Sequence, residues 1–199
     1  ESAVIMKEVI EAIDSWLAAG EADIALATVI NTWGSAPRKV GGKMAFTAGG
    51  RLIAGSVSGG CVEGAVISAG DEVLATGRPQ LLHFGVADET AWGVGLGCGG
   101  TIDVIVECLD RDIYAATRDP ILANGSVTAV TVIGGPDGLV GRKLAVSGDV
   151  VRGSIDPQLD MTVVELAGQT RQAMRYSLPG EVELFIDVMR PSPALIMVG

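Results

Sequence analysis

The residues best suited to chemistry are crowded into one stretch, Gly55 to Gly64, which holds Ser56, Ser58, Gly59, Gly60, Cys61 and Glu63. A short apolar run, Arg51 to Ala54, precedes it and an amphipathic segment, Ala65 to Thr76, follows. The pattern is strand, glycine-rich turn, helix. Glycines ahead of a helix can take positive φ angles and leave the first N–H groups of the helix unpaired. Those groups carry the positive end of the helix dipole and suit an anion such as a phosphate. Cys61 falls at the same helix start, a position that favours the thiolate. The plainer alternatives are a small cysteine packing the helix end and, for Glu63, a carboxylate that merely complements the dipole.

Two further loops carry similar residues. Asn31 to Lys43 is punctuated by Gly34, Pro37, Gly41 and Gly42 and holds Trp33, Arg38, Lys39 and Lys43. No acidic residue lies between Asp23 and Glu63, whereas Arg38, Lys39, Lys43 and Arg51 all do. In a chain of net charge −10 this marks a local anion site, or else a solvated basic loop. Ala87 to Gly100 holds Trp92 and ends in Cys98-Gly99-Gly100, the reverse of Gly59-Gly60-Cys61. The two glycine-flanked cysteines are expected to face one pocket. A zinc site from Cys61, Cys98, Cys108 and His83 is disfavoured, because structural zinc ligands come in closely spaced pairs. Cys108 and His83 read as structural residues on strands.

The elements that must position these loops alternate along the chain. A helix is expected over 4–19 and a buried strand over 24–30. A hairpin follows over 43–47 and 51–55, then a helix to Thr76 and strands over 80–86 and 101–108. Beyond them come a helix over 110–123, an antiparallel meander over 126–154, a helix from Asp156-Pro157 to about Tyr176, and a strand over 181–189. The fold class is therefore α/β, a mixed sheet with helices packed on it. Residues 1–109 carry the chemistry, 110–189 form a smaller α+β portion, and 190–199 read as a linker and the first strand of a Rossmann domain.

At 199 residues the chain can bury a sizeable core. It is 48% hydrophobic, yet no apolar run reaches the ~20 residues of a membrane span. Residues 1–20 mix charges with apolar positions, unlike a signal peptide. Three cysteines with no short pairing argue against a disulfide framework. Strong acidity argues against nucleic acid as partner. These features point to a cytoplasmic protein bound to neither membrane nor nucleic acid. The 190–199 strand, if its edge is exposed, is open to pairing or swapping with a neighbouring chain, so a homodimer is expected.

Asn31 to Lys43, Gly55 to Gly64, Val73 to Arg78 and Gly95 to Gly100, in this order and spacing, resemble the XdhC and CoxI family of xanthine dehydrogenase accessory factors. The resemblance covers roughly 1–109, and Arg190 to Gly199 resembles the start of that family's C-terminal Rossmann domain. It implies a maturation factor that binds molybdenum cofactor, assists its sulfuration with a cysteine desulfurase, and helps insert it into a molybdenum hydroxylase such as xanthine dehydrogenase. It also implies that Cys61 is the cofactor-binding cysteine and a possible molybdenum ligand. Ser58, Gly59, Gly60, Arg38, Lys39 and Lys43 would hold the phosphate, with Trp33 or Trp92 stacked on the pterin and Cys98 opposite. Such a protein need not turn over a substrate. The alternatives are a thiol-dependent oxidoreductase or sulfur-transfer protein using Cys61 with Cys98, and a subunit that only docks the hydroxylase.

Overall fold

A computed structural model describes residues 2–85 and 99–191. The first half contains α1 (Ser2–Ala18), β1 (Ile24–Trp33), β2 (Lys43–Thr47), β3 (Ile53–Gly55), α2 (Glu63–Thr76), β4 (Gln80–Phe84) and β5 (Thr101–Cys108). The second contains α3 (Arg111–Leu122), β6 (Val127–Gly134), β7 (Lys143–Ser147), β8 (Val150–Ser154), α4 (Asp160–Gln169), β9 (Met174–Leu178) and β10 (Val182–Met189). The α/β class and the helices packed on sheet are as expected. The sheet itself is two antiparallel sheets, β3-β2-β1-β5-β4 and β8-β7-β6-β10-β9.

Both halves follow one plan, helix, three strands, helix, two strands, with the same strand order. The correspondence extends to single hydrogen bonds. Gly41 N–H donates to Val29 O and Val29 N–H to Gly42 O; Gly141 N–H donates to Val132 O and Val132 N–H to Arg142 O. Val40-Gly41-Gly42-Lys43-Met44-Ala45 is matched one hundred positions later by Val140-Gly141-Arg142-Lys143-Leu144-Ala145. The chain is thus two copies of one structural unit.

Alternation along the strands stacks the layers. In the first sheet Ala25, Ala27, Val29, Met44, Phe46, Val104 and Val106 face Val66 and Val73 of α2. In the second, Val130, Val132, Leu144, Leu184 and Ile186 face Val163 and Ala167 of α4. The opposite faces of the two sheets meet through Ile30, Ile105, Ile133 and Phe185. α1 and α3 extend this middle layer with Val9, Ile10, Ile13, Ile113 and Ile121.

Charged residues also lie between the sheets, and they are arranged reciprocally. Lys43 of the first repeat reaches Asp187 of the second at 2.6 Å and Thr28 at 3.2 Å. Lys143 of the second repeat pairs with Glu107 of the first. The two lysines hold equivalent places, opposite Thr28 and Thr131 in register. Each copy therefore offers the other the same lysine and the same carboxylate position, as the two halves of an isologous dimer do.

One element departs from expectation. The helix beginning near Asp160 stops at Gln169, and Met174–Leu178 is a strand paired with β10. Its segment has helix-compatible residues, but pairing along Val182–Ile186 overrides that local preference. Of the stretch expected to begin a Rossmann domain, 192–199 lie outside the described residues.

Candidate functional site

Three connections in the first repeat are longer than their counterparts in the second, and all three are the segments singled out by sequence. Between the matched hydrogen bonds at Val29/Gly41 and Val132/Gly141, the first loop is three residues longer. Between the core-packed pairs Val57/Val62 and Ile155/Leu159, the second with Leu159 half-buried, the turn is one residue longer. Residues 85–100 separate β4 from β5, where only 179–181 separate β9 from β10.

The structure gathers the described parts of these segments, Gly99-Gly100 for the third, at one corner of the first sheet. β1 runs past a register shift at Val29/Asn31 and ends at the exposed Trp33. The chain then turns at Gly34, with φ +69°. A Cβ on Gly34 would lie 3.3 Å from Gly100 Cα, and one on Gly100 would lie 2.8 Å from Trp33 O. Backbone meets backbone there, which is why the positions carry glycine. Three residues on, Pro37 Cβ comes within 3.7 Å of where a Cβ on Gly59 would sit. Loop 33–37 thus bridges the two Gly-Gly motifs. Cys98 and Trp92 lie outside the described residues.

The turn from Ser56 to Val62 does not present an open anion cradle, and this corrects the expectation. Most of its donors are already engaged by Glu63 or by the serine hydroxyls that Glu63 holds. One carboxylate oxygen accepts from Ser56 Oγ at 2.6 Å and Ser58 N–H at 2.9 Å. The other accepts from Gly60 N–H at 2.9 Å, from Val62 N–H at 3.2 Å and from the Ser58 hydroxyl. Gly59 N–H goes to Ser56 Oγ at 2.8 Å. With φ of +73° and +112° at Gly59 and Gly60, the turn wraps a carboxylate belonging to its own helix. A phosphate could enter only by displacing it. Ser58 is buried within this network, whereas Cys61 projects from it and is exposed.

Lys43 is the second correction. Its side chain is 6% exposed and committed to Asp187 between the sheets, so it cannot serve as a surface cation. β2 begins at Lys43, and strand alternation turns it away from α2, where Met44 and Phe46 point. Arg38 is half-buried and Lys39 exposed on the loop beside the turn. Trp33 is 69% exposed. Cys108 is half-buried, its thiol 3.4 Å from Val73 O. Burial, with Asp23 and Glu107 nearby, raises its pKa against the opposing pull of Lys143. His83 sits on an edge strand, 2.5 Å from Asp103. Among the described residues, no three His, Cys, Asp or Glu side chains converge as metal ligands.

Sequence reasoning missed Ser56 and the inward use of Glu63. The signal was present, since Gly55-Ser56 ahead of Glu63 is matched by Gly153-Ser154 ahead of Asp160. A cavity of about 970 Å³ lies elsewhere, lined by Cys108, Asp112, Arg142 and Arg152. None of the described residues of the three expanded segments lines it.

Glu63 also makes stability depend on acid. Burial alone would raise its pKa, but the hydroxyls of Ser56 and Ser58 and the Ser58 N–H hold it at about 2, against an ordinary 4.5. A carboxyl lowered by folding stabilises the native state above its unfolded pKa, and that contribution fades as pH falls towards the folded value. Discounted for solvent screening, the loss is about 1–2 kcal/mol on acidification from about pH 5 to about pH 2. In urea titrations, Glu63→Gln should start less stable at neutral pH and lose less over the same interval.

Fold and site together define a duplicated α/β protein in which one repeat carries an exposed thiol on a glycine turn, beside a basic loop with an exposed tryptophan. Residues 16–85 match the model of the XdhC and CoxI family. It is 40% identical over 115 residues to a probable xanthine dehydrogenase subunit of Bacillus subtilis (strain 168), covering 54% of this chain and 34% of that protein. It is 30% identical over 135 residues to the uncharacterized protein YqeB of Escherichia coli (strain K12), covering 68% and 23%. A crystal structure described as a xanthine dehydrogenase from Bacillus halodurans shares the fold, with a TM-score of 0.67 at 24% identity, over 92% of this chain and 52% of that one. The chain therefore spans about half or less of the length of each. No helix among the described residues is long and apolar enough to cross a membrane.

Proposed function

We propose that this chain provides the cofactor-handling region of an accessory factor for a molybdenum hydroxylase such as xanthine dehydrogenase, holding molybdenum cofactor through Cys61 during sulfuration and insertion. One observation carries the reading. The described parts of the three segments expanded in the first repeat converge on one corner, and among the described residues Cys61 is the exposed thiol there. A soft thiolate suits molybdenum. The exposed face of Trp33 suits a pterin ring, and Arg38 with Lys39 suits its phosphate. With Glu63 filling the turn, that phosphate belongs on the 38–39 loop. A cysteine desulfurase would supply the sulfur, and the chain would act in the cytoplasm as a homodimer.

Retention of the cofactor tests this. Purified protein and its Cys61→Ser variant are mixed with released molybdenum cofactor and gel-filtered, and bound molybdenum and pterin fluorescence are measured. Wild type should retain about one equivalent and the variant under about a tenth of it. No retention by wild type would sink the proposal. Gly99-Gly100 packing into the same corner also favours a second reading, a Cys61–Cys98 thiol couple. Mass mapping of a disulfide after mild oxidation, without cofactor retention, would select that one.

A further inference from the structure

The second repeat is an internal control on the turn of the first. There, Gly153 takes φ +82°, Ser154 Oγ donates to Asp160 at 2.6 Å, and the N–H groups of Ile155 and Asp156 donate at 2.8 and 3.2 Å. In the first repeat, Gly55 takes φ +75°, and Ser56 Oγ and Ser58 N–H donate to Glu63. A carboxylate in the first turn of a helix, reaching back to a Gly-Ser corner, is thus required by the fold in both halves. A general-base role for Glu63 has no support from this geometry.

The differences are specific. The first turn has one extra residue, and glutamate has one methylene more than aspartate. That added reach lets Glu63 Oε2 accept from Gly60 N–H and share Val62 N–H with Ser58 Oγ, itself bonded to Oε2; Gly60 and Val62 are the residues on either side of Cys61. Asp160 makes no equivalent pair of bonds, since its acceptors are used on 154–156. From this contrast we infer that Glu63 is the positioning residue of Cys61: its outer oxygen holds the Cys61–Val62 peptide on one side and the Gly59–Gly60 peptide on the other, so the cysteine is bracketed while its thiol stays exposed for a ligand. Glycine at 59 and 60 supplies the positive φ that aims those N–H groups inward. The inference rests on the proposed function only for the identity of the ligand.

The test compares Glu63→Asp, which keeps the charge but shortens the reach, with Asp160→Asn in the second repeat. Amide hydrogen exchange at Gly60 and Val62, melting temperature and cofactor retention are measured on the full chain. Glu63→Asp should speed exchange at both amides about tenfold and shorten cofactor retention about tenfold. Asp160→Asn should lower the melting temperature and leave both readouts unchanged. Should Glu63→Asp fail to fold, Glu63→Gln replaces it, keeping the length while losing one acceptor. Wild-type exchange at Gly60 and Val62 in the Glu63 variant, or an equal change in Asp160→Asn, overturns the inference. If wild type retains no cofactor, the proposed function fails, and amide exchange still decides the positioning role.

Discussion

Replacing Lys43 by methionine should lower the unfolding free energy by about 3–5 kcal/mol, because it leaves a buried carboxylate without its countercharge. Asp187 has a side-chain exposure of 5%, and its other oxygen has no hydrogen-bond partner among the described residues. Urea denaturation would show the loss, and the double variant Lys43→Met with Asp187→Leu should recover most of it, since an apolar pair tolerates that layer better than a lone charge. Cofactor retention per folded molecule should be unchanged in Lys43→Met. A loss of retention at full stability would return Lys43 to the anion site and contradict its structural assignment.

Gly55→Ala and Gly153→Ala should each cost about 3 kcal/mol or more, combining left-handed backbone strain with overpacking. A Cβ on Gly55 would lie 2.2 Å from Lys43 O and 2.9 Å from Val9 Cγ2. On Gly153 it would lie 2.5 Å from Lys143 O and 2.8 Å from Ile113 Cδ1. In each repeat the obstruction is the backbone of the neighbouring strand, which cannot move without breaking the sheet. Gly49→Ala is the control, with φ +65° but nothing within 4 Å of the added carbon. It should cost only about 1–2 kcal/mol. Equal losses at Gly49 and Gly55 would show that φ alone matters and that close approach does not. Matched losses at Gly55 and Gly153 would support the equivalence of the two repeats in energy as well as shape.

Much of this protein is legible from residue order. Gly55 to Gly64 announces a turn into a helix because glycine and hydroxyl residues encode local backbone geometry. The strands at 24–33 and 101–108 follow from β-branched runs, and the Asn31–Lys43 and Cys98–Gly100 motifs carry the family resemblance. Even the duplication is written in Val40–Ala45 and Val140–Ala145. Partners distant in the chain are another matter. That Lys43 finds Asp187, 144 residues away, depends on which sheet face it occupies and which sheet covers that face. That Glu63 turns inward depends on the path of five preceding residues. That 174–178 becomes a strand depends on β10 offering an edge. Sequence determined the local conformations and the inventory of reactive groups. Only the packing of one repeat on the other decided which charges are neutralised inside, because burial and pairing are properties of the assembled layers.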